Sequence, residues 1–336
     1  MSIDLVEKTL DQVYSNNALC SMDVLWLTGE PLVLGVPYFR QVVDLCLEKA
    51  PPNMRPQFIV QTNGTLIDEN WCDFFTSHDF IVGVSVDGPA IIHDKQRLSL
   101  LGKPSFPDVE RGIDLLIKKG VRGGAICVIT KATLSLPPDE LFRFFQEKNI
   151  AWSYLLEASI GDNKSSPSAL TADDLPSLDR YLDRLLDLWA AHPDSYIRDF
   201  EQISRRIFGG AQPRPDADNL GCLDILNVSA NGDFYWGNPE LMTATLGPLT
   251  DIRFNLERDD VWRIRSNPKF TAYQHQVHEG VKQCREQCTY FEGCQGGNPA
   301  HKFYEFGSFD VTAHTSCRLN DQLVQTLMTR KLTIAN

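Results

Sequence analysis

The sequence predicts an α/β protein, a parallel sheet with helices outside it, followed by a small cysteine-rich C-terminal domain. Three observations predict this. Over about the first 150 residues, short apolar runs alternate with amphipathic helical stretches. Each apolar run ends in a polar turn, which is where parallel α/β enzymes place their chemistry. Near the C-terminus four cysteines crowd together as Cys284-x3-Cys288-x5-Cys294-x22-Cys317.

Ile3, Val6, Leu10 and Val13 recur at helical spacing behind Ser2, a capping residue. An apolar strand over residues 22–27 ends in Thr28-Gly29-Glu30-Pro31. A helix over 38–49 leads to a strand over 57–61, which ends in Thr62-Asn63-Gly64. A helix over 68–76 leads to a strand over 80–86, closed by Asp87-Gly88-Pro89. The pattern continues with helix 106–119, strand 125–129, helix 138–148 and strand 151–156. It opens with a helix where a strand is expected, so the first βα unit lacks its strand, and helix 3–13 is expected beside that vacant position.

An acidic amphipathic helix follows over 171–191 and another over 196–208. Residues 209–219 are rich in Gly, Pro and Asp and read as a linker between a domain of residues 1–208 and one of residues 220–336. In the second domain Asn231-Gly232 sits between two strand-like runs, a strong hairpin signal. Helical stretches over 259–265 and 269–278 lead into the cysteines, and a closing helix covers 318–331.

The composition, 43% hydrophobic and 23% charged, is that of a globular protein. A formal charge of -12 disfavours nucleic acid and anionic lipid as partners. No apolar run approaches the roughly 20 residues of a membrane span. The opening MSIDLVEKTL lacks a basic region followed by an apolar core, so a cytoplasmic protein is expected. Cys20, Cys46, Cys72 and Cys127 show no ligand-like spacing and are expected to be buried structural thiols.

Cys284, Cys288, Cys294 and Cys317 form a four-thiolate set that suits zinc or a four-iron cluster, and spacing does not choose between them. Gly293, Gly296 and Gly297 lie where the chain must turn tightly around sulfur. The strand-end turns are weak signals singly, since turns commonly use Gly, Pro, Asn and Asp. Their order on successive strands is the stronger signal: Gly29-Glu30-Pro31, then Thr62-Asn63-Gly64-Thr65, then Ser85-x-Asp87-Gly88-Pro89 followed by His93-Asp94 and Arg97.

Through these motifs the chain resembles a radical S-adenosylmethionine (SAM) enzyme with a SPASM-type C-terminal domain, a group that includes sulfatase-maturing and peptide-crosslinking enzymes. The family's Gly-Gly-Glu-Pro motif stands here as Thr28-Gly29-Glu30-Pro31, with Thr28 in place of the first glycine. The resemblance implies that this turn offers backbone groups to the amino group of SAM, that Ser85 contacts the ribose and that Arg97 meets the carboxylate. It continues through Gly232, Pro239-Glu240-Leu241, the run from Cys294 to Pro299, and Cys317-Arg318. It implies a partial (β/α)6 barrel missing its first strand, a ribosomally made precursor peptide or protein as substrate, and an electron donor such as flavodoxin or ferredoxin. Asn-Pro-Glu-Leu followed by Cys-x-Gly-Gly-x-Pro looks most like the branch that crosslinks peptides.

Three departures shape the expectation. No Cys-x3-Cys-x2-Cys occurs, although the family uses that triad to hold the 4Fe-4S cluster that cleaves SAM. The triad follows the first barrel strand, the same strand the pattern lacks, so a shortened N-terminus or a lost first unit explains both. Of a first auxiliary cluster only Cys222 has a counterpart; Gly237 and Asn298 stand where other ligands would fall, so one auxiliary cluster is expected. Asn238 stands where sulfatase-maturing enzymes carry an aspartate base, and an amide cannot take that proton, which disfavours formylglycine formation.

The leading reading is an enzyme that cannot start radical chemistry as written. The alternatives are a degenerate peptide- or partner-binding module and a structural zinc site. His275, His278 and Arg205-Arg206 are expected on helix surfaces, Trp152 and Tyr154 in core packing, and Glu157 either at a substrate contact or in solvent.

Overall fold

The computed structural model describes residues 1–157, 166–209, 224–241 and 252–335. Cys222 and all of the 209–219 segment except Gly209 lie outside the described residues. The chain gathers into two compact units, one of Ala18–Glu157 with Pro176–Glu201, the other of Met1–Asn17, Ala158–Leu175 and Gln202–Asn336.

Helix α1 (Ile3–Tyr14) is capped by Ser2, whose side chain accepts from the Leu5 amide. In the first unit the order is β1 (Asp23–Trp26), α2 (Gly35–Lys49), β2 (Gln57–Thr62), α3 (Glu69–Ser77), β3 (Ile81–Ser85), α4 (Ala90–Gln96), α5 (Phe106–Lys119), β4 (Gly123–Ile129), α6 (Pro138–Glu147) and β5 (Trp152–Leu156), followed by α7 (Leu175–Ala191) and the first turn of α8 (Arg198–Phe208), whose remainder from Gln202 belongs to the second unit. The five strands form one parallel sheet in sequence order. Every crossover is helical, as parallel pairing requires. Among the described residues no strand precedes β1. Ile197 bridges Trp152 in parallel beyond β5.

Burial alternates along β1 to β4. In β2, Phe58, Val60 and Thr62 are buried, while Gln57, Ile59 and Gln61 are half-exposed. The buried side chains pack against the helix layer in an aromatic core: Trp26 stacks on Phe39 at 4.8 Å, and Phe80 meets the rings of Trp26, Phe39, Phe58, Phe74 and Phe75. Each such pair adds about 0.5–1.5 kcal/mol beyond area burial. Trp152 stacks on Phe145 of α6 at 4.4 Å and Tyr154 meets Phe200 of α8, so both belong to this core. The half-exposed face carries Gln61, Gly83, Ser85 and Gly124.

In the second unit β6 (Leu226–Val228), β7 (Asp233–Trp236) and the short β8 (Phe254–Asn255) make an antiparallel sheet. The hairpin turns at Asn231-Gly232 as the sequence predicts, with Gly232 at φ +86°. Then come α9 (Pro268–Gln287), α10 (Phe291–Cys294), α11 (Pro299–Phe306), α12 (Thr315–Cys317) and α13 (Leu323–Ala335). Helix α1 corrects one expectation. It groups with this second unit and not with the unit of the parallel sheet. The Gln12 side chain accepts from the Val261 amide at 3.0 Å, and the Trp262 indole donates to the Gln12 carbonyl at 2.9 Å. An amphipathic stripe of Val6, Leu10 and Val13 specifies that a helix must bury one face, not which surface receives it. Helix α9 runs nine residues beyond the expected 278 and carries Cys284 within it.

Candidate functional site

All five parallel strands deliver their C-terminal turns to one end of the sheet. At β1 the chain passes through two consecutive left-handed residues, Thr28 at φ +73° and Gly29 at φ +60°. Glu30 then turns back: its carboxylate accepts from the Leu32 amide at 3.0 Å, the Thr62 hydroxyl at 2.7 Å and the Asn63 amide at 2.7 Å. Glu30 is therefore a clamp between the ends of β1 and β2. Pro31 is buried at the start of a 3-10 turn. Asn63 closes its own turn by accepting from the Thr65 amide and hydroxyl.

Thr28 is β-branched and unsuited to that conformation, which costs on the order of 1–3 kcal/mol. Glycine there gives back roughly 0.5–1 kcal/mol in chain entropy. Thr28→Gly is expected to raise stability by about 1 kcal/mol, measured by urea unfolding; a lower midpoint would show that the Thr28 side chain contributes more than its strain costs.

Ser85 accepts from Gln61 Nε2 at 2.9 Å on the half-exposed face. Arg97 grips Asp87 with two bonds, Nε to Oδ2 at 2.7 Å and Nη2 to Oδ1 at 3.0 Å. Asp87 is 1% exposed and also accepts from the Val128 amide at 2.8 Å, which ties β3 to β4. The pair uses two of the five guanidinium donors, so Arg97 is held in place with donors remaining. The loop from 87 to 105 is locked by buried His93. Its Nδ1 accepts from the Asp87 amide at 3.4 Å, which places the proton on Nε2, 3.0 Å from the Ser105 hydroxyl. Ser105 in turn donates to the Arg97 carbonyl at 2.6 Å. Asp94 accepts from the amides of Ser105 and Phe106. The sequence reading named His93, Asp94 and Arg97 but not Asp87, Gln61 or Ser105 as their partners.

Burial lowers the His93 pKa, opposed by Asp87 and Asp94 and reinforced by Arg97. The folded pKa thus lies below the unfolded value, and the unfolded chain binds the extra proton. Stability is therefore full above about pH 6.5 and falls as pH drops through the window beneath it. Urea midpoints from pH 7 to pH 5 should fall more steeply in the native chain than in His93→Gln; equal slopes would remove His93 from the account.

In the second unit Cys284, Cys288, Cys294 and Cys317 line one cavity of about 260 Å³. Cys284 lies in the last turn of α9, Cys288 caps it, and Cys294 and Cys317 end α10 and α12. Gln295, Gly296 and Gly297 follow at φ +56°, +105° and +71°. A Cβ on Gly296 would meet Val281 at 2.9 Å and one on Gly297 would meet His314 at 2.9 Å, so this tight turn needs both glycines. Burial pushes the Cys284 thiol up, that of Cys294 to about 11 and that of Cys317 to about 12. Deprotonation here requires a nearby positive charge. Lys302, 1% exposed, places Nζ 3.3 Å from the Gly280 carbonyl and 3.5 Å from Cys284 Sγ.

The donor set suits a thiolate-binding group. Among the described residues no three Cys, His, Asp or Glu side chains form a single-ion set. The volume is that of about nine waters at ~30 Å³ each, room for a polynuclear group. At Gly237 a Cβ would meet Tyr273 Oη at 2.7 Å and Tyr235 Cε2 at 2.9 Å, so a cysteine there would have to displace these rings. Asn238 is buried and donates to Asn298 Oδ1 at 3.3 Å. His275 and His278 are exposed, as expected. Arg206 is exposed too and reaches the Gly293 carbonyl at 2.9 Å. Cys46, Cys72 and Cys127 are buried; Cys20 is exposed, against expectation, because it lies in the irregular segment before β1.

A parallel sheet with ordered strand-end turns, and a thiol-lined cavity in the second unit, define an α/β protein with two candidate sites. No protein-family model matches the chain. An uncharacterized protein of Synechocystis sp. is 32% identical over 340 residues, covering 96% of this chain and 83% of that protein. The cysteine-type anaerobic sulfatase-maturating enzyme of Clostridium perfringens is 27% identical over 283 residues, 80% of this chain and 71% of the enzyme. The fold matches native anSMEcpe with bound AdoMet at a TM-score of 0.80 and 22% identity, over 100% of this chain and 90% of that one. It matches Streptococcus suis SuiB bound to precursor peptide SuiA at 0.62 and 16%, over 95% and 69%. The chain belongs to the radical SAM maturase family, whose members modify proteins and peptides.

Proposed function

We propose that this chain is a radical SAM peptide- or protein-modifying enzyme that holds one auxiliary 4Fe-4S cluster on Cys284, Cys288, Cys294 and Cys317. The observation that carries the reading is the convergence of these four thiols, with Cys284, Cys294 and Cys317 buried and Cys288 half-buried, on one cavity of about 260 Å³. Glycine at 237 and asparagine at 298, in place of thiols, support one auxiliary cluster rather than two. In this reading SAM sits at the strand ends, with its amino group at the Thr28-Gly29-Glu30-Pro31 backbone, its ribose at Ser85 and its carboxylate at the remaining donors of Arg97. The turn is left-handed at Thr28 and Gly29, and Asp87 fixes the direction of the guanidinium. A SAM-cleaving cluster, for which these residues supply no cysteine triad, would supply the electron for SAM cleavage. The chain's own residues bind, orient and exclude water.

These 336 residues contain no Cys-x3-Cys-x2-Cys. Four thiolates saturate the auxiliary centre, whereas SAM cleavage needs an open metal position. Asn238 cannot accept the proton that formylglycine formation transfers, so the substrate is a peptide residue modified in another way. The test is to incubate the dithionite-reduced, iron-reconstituted chain with SAM and assay 5′-deoxyadenosine. None is expected from this chain, and product is expected once a segment carrying the triad is joined ahead of it. Catalytic product from the chain alone would overturn the reading of its inactivity. No product after the triad is restored would favour a binding module.

A further inference from the structure

We propose that Lys302 is the built-in counter-ion of the four-thiolate centre and holds its reduction potential up through a hydrogen bond to Cys284. The inference rests on the cluster reading above. Lys302 projects from α11 and is 1% exposed, a place lysine occupies only when paired. Its Nζ lies against the last turns of α9, on the Gly280 carbonyl at 3.3 Å and Cys284 Sγ at 3.5 Å. Among the described residues no carboxylate forms an ion pair with it. A carbonyl oxygen is a neutral acceptor and a protonated thiol a weak one. Neither balances a buried ammonium, whereas a metal-bound Cys284 thiolate does. Helix α9 is seated closely at this point, since a side chain on Gly280 would strike the Phe309 carbonyl.

The consequence for redox follows from charge. One electron, supplied by dithionite through a mediator, makes the centre one unit more negative; no bond forms or breaks. A fixed positive charge and an N–H···S bond stabilise the more negative state more strongly.

The experiment is a dye-mediated redox titration of the full chain reconstituted anaerobically with ferrous iron and sulfide, beside Lys302→Met. The variant is expected to retain its iron while its reduced-to-oxidised ratio at the native midpoint drops about tenfold, a shift of about 59 mV to more negative potential. An unchanged midpoint with iron retained would overturn the role of Lys302 and leave the cluster reading standing. A native chain that takes up no iron would remove the cluster reading, and this inference with it. If Lys302→Met fails to fold, Lys302→Gln, which keeps a donor but not the charge, is read by the same criterion.

Discussion

Anaerobic reconstitution with ferrous iron and sulfide is expected to load about four iron and four sulfide per chain, and Cys294→Ala is expected to lower this loading. The size of the effect comes from the environment of the thiols. With Cys294 pushed up to about 11 and Cys317 to about 12, both are protonated at neutral pH, and only metal binding compensates for removing their protons. Uptake is therefore cooperative among the four ligands, and losing one leaves three thiols in a buried cavity with an unfilled position. Iron and sulfide analysis with the iron–sulfur absorbance band reads the result. About eight iron per chain would point to a second auxiliary cluster, zinc alone after anaerobic expression would point to a structural zinc site, and full loading of Cys294→Ala would exclude that ligand.

Arg97→Met is expected to cost about 3 kcal/mol of stability and to weaken SAM binding. Removing one partner of a buried ion pair costs roughly 3–5 kcal/mol because it strands the other charge. Here the stranded group is Asp87, 1% exposed and left with the Val128 amide. The Arg97 side chain is 30% exposed, so water can enter the vacated space, which places the cost at the lower end of that range. Asp87→Asn in the same background removes the stranded charge and should recover most of the stability without recovering SAM binding. Urea unfolding and equilibrium SAM titration separate the two effects. A loss below about 1 kcal/mol, the scale of an exposed pair, would show that Asp87 is not effectively buried.

Much of the fold is legible in the chain. Each of the five strands reads as an apolar run ending at a turn signal, because helix-covered parallel strands combine apolar content with sharp ends. The caps at Ser2 and Asp68 are local features of residue type and position. What escaped lacks such a signal. Strand β8 has two residues, too few for any period. Helix α4 begins behind Pro89 with no side-chain cap. Helix α11 carries Lys302 on its buried face, which interrupts the apolar pattern that would reveal it.

The candidate sites divide in the same way. Residue type and spacing alone determined that four thiols stand in a metal-like set, that Gly29-Glu30-Pro31, Ser85 and Arg97 close successive strands, and that no cysteine triad is present. Those are properties of local order, which periodicity and turn chemistry report. Only the tertiary structure decided which polar groups meet: Glu30 with Thr62 and Asn63, Asp87 with both Arg97 and Val128, Lys302 with Cys284, and α1 with the segment around Trp262. These pairings span 10 to 250 positions. A buried polar atom takes whichever partner packing brings within about 3 Å, and that choice depends on how the elements assemble rather than on the neighbours each residue has along the chain.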